Sequence, residues 1–454
     1  MTKTETDVIA AVDRYIDEHF EESVAELERL CRQPSVSAQG LGIRECAELT
    51  ATILREHGFE SEIQPTAGNP VVNGRQAGDG ARTLLLYNHY DVQPPEPLEL
   101  WTAPPFEPSR RDGKLFARGA SDDKGHIVCR LMAIDALRAV RGSLPCNVTF
   151  LIEGEEESGS VNLEPYIAGH REALAADACL WEFGGVNHKD QAVITAGMRG
   201  MCYVQLSVRT ATLDAHSGLG GSIFPNAAWR LAWALASIKG PDERIRIPGH
   251  YDDVVPASAA DMELLAALPA EEDHLRETYG VQSFLGGASG VELQRRQIFE
   301  PTCTINGLDS GYQGPGTKTV LPAEAYAKID FRLVPNQDPD KVFAALRAHL
   351  DAQGFTDVAT EMLCGEHPAR VDPHDPFVQL VVDAAREVYG DPVMLEPMSG
   401  GTGPAYPFLH HLNVVFATSG VGYPGGRVHA PDEHLRLDDL KRGARHTARV
   451  MLRL

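Results

Sequence analysis

The chain has 454 residues, 43% of them hydrophobic, more than one core usually organises, so two domains are predicted. Its 41 Lys and Arg face 64 Asp and Glu, a formal charge of -23 that argues against a polyanionic partner such as nucleic acid and for a soluble protein. Eight scattered cysteines form no Cys-x-x-Cys pair, which removes a zinc knuckle or redox motif and leaves reduced thiols in a cytoplasm as the expectation.

Val8, Val12, Ile16 and Phe20 give the amino-terminal stretch an amphipathic helical pattern without the apolar core or cleavage site of a signal peptide. No apolar run reaches the length of a membrane span. Thr83 to Tyr87 is the first buried strand and runs into Asn88-His89-Tyr90-Asp91. A helix follows Asp122, with Ile127, Leu131 and Ile134 on its apolar face. Val148 to Ile152 and Ala178 to Phe183 are the next strands, and Leu412 to Ala417 is a fourth, far away in sequence. Short apolar runs alternating with helices predict an α/β fold with a mostly parallel sheet.

After about residue 195 the pattern changes. Cys202, Val204, Leu206 and Val208 alternate with polar neighbours, and Ala325, Ala327, Ile329, Phe331 and Leu333 repeat the period of two expected of half-buried antiparallel strands. Helices are predicted near Asn226 to Ile238 and Asp340 to Leu350, and residues 250–300 read as a helical excursion. The expected division is a catalytic domain in two parts, 1–194 and 367–454, around an inserted α+β domain, 195–366.

The chemistry concentrates at the strand ends, where ligands collect in open α/β sheets. Glu155-Glu156-Glu157 follows the second strand, and three mutually repelling carboxylates there call for a bound cation, unless they form a solvated acidic turn. Asp122 lies in Arg118-Gly119-Ala120-Ser121-Asp122-Asp123-Lys124-Gly125 at a helix start, where it can cap the helix, although capping alone does not require the glycines. Alternation puts His89 and Asp91 on one side of an extended chain, so Asp91 can orient the imidazole of a metal-bound His89. Glu182 ends the third strand, and His429 lies in Gly425-Gly426-Arg427-Val428-His429-Ala430-Pro431.

Together these segments resemble the co-catalytic zinc metallopeptidase family that contains the carnosine-type dipeptidases, aminoacylases, carboxypeptidase G and succinyl-diaminopimelate desuccinylase. The resemblance covers nearly the entire chain and rests on His89 to Pro94, Arg118 to Gly125, Glu155 to Gly159 and His429. It implies two divalent metal ions per chain, zinc first and manganese or cobalt as alternatives, bridged by Asp122, with His89 and Glu182 completing one site and Glu157 and His429 the other. Glu156 then acts as general base on a metal-bridging water that becomes the attacking hydroxide, and Glu155 is left as structural. The inserted domain becomes a lid and dimerisation domain, with Asp214-Ala215-His216-Ser217-Gly218 carrying a histidine, His216, that reaches the partner's site in a homodimer to stabilise the oxyanion. Thr319, Arg332, Gly400 and Gly401 match the segments that bind substrate, the last two in a loop whose backbone amides can take up a carboxylate.

The implied activity is hydrolysis of dipeptides or short peptides with a free C-terminal carboxylate. Deacylation of N-acyl amino acids is the alternative, because the aminoacylase and carboxypeptidase branches carry Glu at the position of Glu182 and the carnosine-type branch carries Asp. The 250–300 segment and Arg332-Leu333-Val334-Pro335-Asn336 look more like the dipeptidase branch. A catalytically silent binding protein is disfavoured because every ligand and base position is filled. A nucleotide-dependent ligase lacks its phosphate loop, since Thr317 stands where the lysine after the second glycine of Gly311 to Gly316 belongs.

Overall fold

The computed structural model describes residues 4–454 and divides them into two compact units. The first comprises residues up to Gly197, Val371–Pro397 and Pro404–Leu454; the second comprises Met198–Arg370 and Met398–Gly403. No helix among the described residues is long and apolar enough to cross a membrane. None of the eight cysteines is in a disulfide, and seven are buried.

The first unit is built on a six-stranded sheet in the order Glu60–Gln64, Val71–Gln76, Asn147–Glu153, Thr83–His89, Ala178–Trp181, Phe416–Thr418. The last four pair in parallel and only Val71–Gln76 runs against its neighbours, so the sheet is mostly parallel as expected. Leu84, Leu85 and Leu86 are wholly buried, as are Phe150, Leu151 and Ile152 on the paired strand, each contributing roughly 1.5–3 kcal/mol. Parallel pairing brings His89, the 154–157 turn, Glu182 and the segment after Thr418 to one edge.

Two boundaries differ from the sequence reading. Leu412 ends a helix, Tyr406–Leu412, which Asn413 closes in the left-handed conformation (φ 52°), so the fourth strand is only Phe416–Thr418. The helix after Asp122 begins at Lys124, with Asp123 as its N-cap residue, so Asp122 lies one residue outside the cap and is free for other work.

The second unit carries an antiparallel sheet in the order Thr302–Ser310, Glu324–Leu333, Gly200–Arg209, Val358–Glu366. The alternating residues Cys202 to Val208 and Ala325 to Leu333 face one core together with Leu231 and Ala234 of the helix Ala227–Ile238 and Val342 and Leu346 of the helix Pro339–Ala352. Residues 250–300 form three helices, Ala259–Ala267, Glu272–Tyr279 and Gly290–Phe299, and Leu265, Ile298 and Phe299 share a small core with Met398. The unit closes over Arg370 rather than residue 366 and reclaims Met398–Gly403 from the later chain.

Candidate metal centre

Six side chains at the carboxyl edge of the parallel strands form two groups with metal-ligand spacing: His89, Asp123 and Glu182, and Asp122, Glu157 and His429. Asp122 joins them. Its Oδ1 lies 3.0 Å from His89 Nε2 and its Oδ2 lies 3.1 Å from His429 Nε2, while Glu157 Oε2 stands 3.1 Å from the same His429 nitrogen. Asp123 is committed to protein donors: Oδ2 accepts from Asn88 Nδ2 at 2.5 Å and His89 N at 3.1 Å, and Oδ1 faces His126 Nδ1 at 2.8 Å. Of the two adjacent aspartates, Asp122 is therefore the one whose carboxylate faces both histidines.

Orientation of the ligands comes from their neighbours. His89 Nδ1 donates to the Asp91 main-chain carbonyl at 2.9 Å, with the Asp91 carboxylate at 3.4 Å, which keeps the proton on Nδ1 and turns Nε2 toward the ligand groups. The Asp91 carboxylate also accepts the backbone N–H groups of Glu156 at 3.2 Å and Glu157 at 3.1 Å and fixes the turn that carries them. Gln93 donates to Glu157 Oε2 at 2.9 Å. Glu155 accepts from Asn69 N and Asn162 Nδ2, both at 2.8 Å, which is the structural role left for it. His429 and its neighbours Arg427 and Asp432 hold left-handed backbone (φ 62°, 56° and 60°), a strain that the packing of this loop must sustain.

Electrostatics fit a cation. Burial pushes Glu182 well above the ordinary carboxylate range, His89 opposing it, and its Oε2 is buried without a hydrogen-bond partner. Burial raises Glu156 well above that range too; His89 opposes the shift, and the charges of Glu157, Asp122 and Asp91 add to it. Burial also disfavours charge on Asp122, but hydrogen bonds from His429 and His89 outweigh it and hold Asp122 well below. His429 is pulled up to about 10 by Asp122 and then Glu157. An orphaned carboxylate oxygen among buried like charges and two imidazoles is a donor set short of positive charge, and its oxygen and nitrogen atoms suit a divalent metal.

Several buried polar residues below this edge carry no signature in the sequence. Arg130 bonds the carbonyls of Tyr87 at 2.5 Å and Trp181 at 3.0 Å and the side chain of Asn88, tying together the strands that deliver His89 and Glu182. Lys124 Nζ donates to the carbonyls of Leu30 and Gln33. Arg130 lies on a helix, Lys124–Arg141, buried on nearly every side, so no periodicity sets it apart.

The remaining candidates lie in the second unit. His216 is exposed; its Nδ1 accepts from Gly218 N at 3.0 Å, which leaves a proton on Nε2 to donate outward. Thr319 is exposed and lines a depression of ≈ 650 Å³ with Trp229, Tyr312 and Lys318. Arg332 is half-buried, with Nε on Asp330 Oδ2 at 3.0 Å and Nη1 on Thr402 Oγ1 at 2.7 Å. Gly400 and Gly401 are exposed beside Thr402, but the Gly401 amide already donates to Ser399 Oγ at 3.0 Å and so is not free for a carboxylate.

Carboxylates and imidazoles gathered around one shared aspartate, with a further acid beside them, are the equipment of a metal-dependent hydrolase. Residues 85–453 match the model of Peptidase family M20/M25/M40. A solved metallo-carboxypeptidase, Sso-CP2 of Sulfolobus solfataricus, is 34% identical, with a TM-score of 0.91 over 95% of this chain and 98% of that one. The Beta-Ala-His dipeptidase of Rattus norvegicus is 28% identical over 72% of this chain and 68% of its own length, and the Cys-Gly metallodipeptidase dug1 of Schizosaccharomyces pombe 29% identical over 74% of each. The chain belongs to Peptidase family M20/M25/M40 and is a metallopeptidase.

Proposed function

We propose that this enzyme cleaves the amide bond of dipeptides or short peptides with a free C-terminal carboxylate, using two divalent cations, most simply zinc. The observation that carries the reading is the Asp122 carboxylate facing both His89 and His429, with Glu156 beside the ligand groups and belonging to neither. When bound, the cations supply Lewis acidity to the substrate carbonyl and to water. His89, Glu182 and Asp122 would hold one, and Asp122, Glu157 and His429 the other. Glu156 takes a proton from the attacking water as the new C–O bond forms and delivers it to the amine nitrogen as the C–N bond breaks.

Arg332, braced by Asp330 and Thr402, presents a guanidinium to a substrate carboxylate, with Thr319 and Gly400 as the other substrate-binding residues. His216 stabilises the oxyanion of the partner subunit in a homodimer. A second copy is supported by the exposed edge strand Thr302–Ser310, with Ile305 and Leu308 outward, and by the stacked, exposed Trp229 and Trp233. The absence of disulfides among the cysteines is in keeping with a cytoplasmic setting.

Activity profiling on dipeptides, tripeptides and N-acyl amino acids, with zinc, manganese and cobalt added separately, tests this reading. Dipeptides with a free carboxylate are expected to turn over, and capping that carboxylate as an amide to remove most activity. Turnover confined to N-acyl amino acids would transfer the enzyme to the deacylase branch, to which Glu182 gives some support.

A further inference from the structure

Glu433 is four residues beyond His429 and belongs to neither ligand group. The strand that follows it, His434–Arg436, pairs with Lys114–Phe116, and the Glu433 carbonyl accepts from Ala117 N at 3.1 Å, so its side chain enters the loop that leads to Asp122. There its Oε2 accepts from Arg118 Nη1 at 2.7 Å and Gly119 N at 3.0 Å, and its Oε1 from Ser121 N at 2.9 Å and Asp122 N at 3.1 Å. Both members of the Arg118–Glu433 ion pair are 1% exposed.

A carboxylate offers about four lone-pair positions, and here four donors take them. Glu433 therefore has nothing left for a cation or a substrate. Its contacts instead hold three backbone amides, the last belonging to Asp122. The same short segment thus grips Asp122 twice: His429 Nε2 meets its carboxylate and Glu433 meets its main-chain N–H, each at 3.1 Å. Asp432, between them, anchors the segment by accepting from Thr102 N at 2.9 Å and Thr102 Oγ1 at 2.7 Å.

We propose that Glu433, paired with Arg118, is a positioning residue that sets the reach of Asp122 between His89 and His429 and so governs how tightly the cations are held. The inference rests on the reading of Asp122 and His429 as ligands. A bond at the main chain of a ligand residue fixes the pivot of its side chain, and groups that orient ligands typically govern about 10- to 100-fold in metal affinity.

The test measures binding of Co²⁺ alone to the full-length metal-free protein by competition with a chromogenic chelator, well below the melting temperature. Circular dichroism checks the fold, and the visible Co²⁺ spectrum reports the ligand field. Glu433→Gln keeps the volume but turns an amide NH₂ toward two of the four donors, and is expected to weaken Co²⁺ binding about 10-fold or more and to alter the spectrum. A folded Glu433→Gln protein with affinity within about twofold of wild type and an unchanged spectrum would overturn the proposal, the expected effect being at least tenfold. Should that variant fail to fold, Glu433→Asp decides, because it keeps the charge opposite Arg118 while its shorter arm cannot serve all four donors. Weakened binding in Glu433→Asp supports the proposal and wild-type binding refutes it. Asp122→Asn and His429→Ala, measured alongside, test the ligand reading separately: unchanged Co²⁺ binding in both would remove that reading whatever Glu433 does.

Discussion

Changing Glu156 to Gln should separate turnover from metal binding. Glu156 stands beside both ligand groups and is a member of neither, and what Asp91 holds is the Glu156 backbone N–H, which the substitution leaves in place. Gln matches its length and volume, so the turn that positions Glu157 persists. The amide cannot accept a proton from water, and general-base catalysis is worth about 100- to 10,000-fold. At about 1.36 kcal/mol per decade that is roughly 2.7–5.5 kcal/mol of barrier. Steady-state kinetics should therefore show kcat down by about two orders of magnitude or more, with KM little changed and elemental analysis giving wild-type metal content. Wild-type kcat would refute the assignment of the base. Loss of metal together with activity would refute the separation and place Glu156 among the ligands.

His57 links Glu26 and Asp135, helix to helix, with ring nitrogens 2.9 Å and 2.6 Å from the two carboxylates. Burial opposes its charge, but the bonds to Asp135 and Glu26 prevail and raise it to about 10, so its stabilisation is complete below the unfolded value of about 6.5 and drains as pH rises through 10. The shift corresponds to a ceiling of about 5 kcal/mol, of which screening leaves a few; urea melts of His57→Gln should show that cost at pH 6 and little of it at pH 10.5, and an equal cost at both would refute the account. His250 has the opposite sign: burial lowers it to about 4, and neither ring nitrogen has a partner, so its neutral form favours folding above about pH 6.5 and that advantage is lost as pH falls toward 4. His250→Phe should accordingly raise the melting temperature more at pH 5 than at pH 7, a result that a pH-independent change would contradict. If His216 serves the partner subunit, mixing Glu156→Gln with His216→Ala subunits should restore part of the activity, because one mixed site receives an intact base and an intact donor; demonstrated subunit exchange without recovery would confine His216 to its own chain or to a structural role.

The parallel strands were readable because apolar runs such as Thr83 to Tyr87 and Val148 to Ile152 end abruptly in charge, and a buried strand cannot end that way without a use for it. The candidate metal ligands stand out in the sequence because the short segments that carry them, taken together in their order and spacing, resemble those of a known family; singly, a histidine such as His429 looks like ordinary loop. Leu412 was misassigned because an apolar run alone does not distinguish the last turn of a helix from a strand, and Asn413 is an inconspicuous cap. Glu433, Arg130 and Asn88 were illegible for another reason. Their partners are backbone groups or side chains tens to hundreds of positions away, so in sequence an acid or arginine of this kind looks like solvated surface.

Those buried cations also explain why the centre needs metal. Arg118 is spent on Glu433 and on the Pro94 carbonyl, Lys124 on the carbonyls of Leu30 and Gln33, and Arg130 on the carbonyls of Tyr87 and Trp181 and on Asn88. None of these bonds is made to Asp122, Glu157 or Glu182. Glu182 shows the deficit most clearly, buried with one oxygen lacking a donor, and leaving such a group unsatisfied costs about 1–3 kcal/mol or more when charged. Glu182→Gln should therefore change sign with the state of the protein. In chelator, relief of the cost of burying this carboxyl should raise the melting temperature; with saturating cation the weaker hold should lower it, since a cation at about 100 times its dissociation constant contributes about 2.7 kcal/mol that the variant forfeits in part. Differential scanning calorimetry of both proteins in both conditions reads the four values. A shift in the same direction in chelator and in cation would mean that Glu182 acts through packing alone, and the carboxyl edge would have to find its positive charge elsewhere.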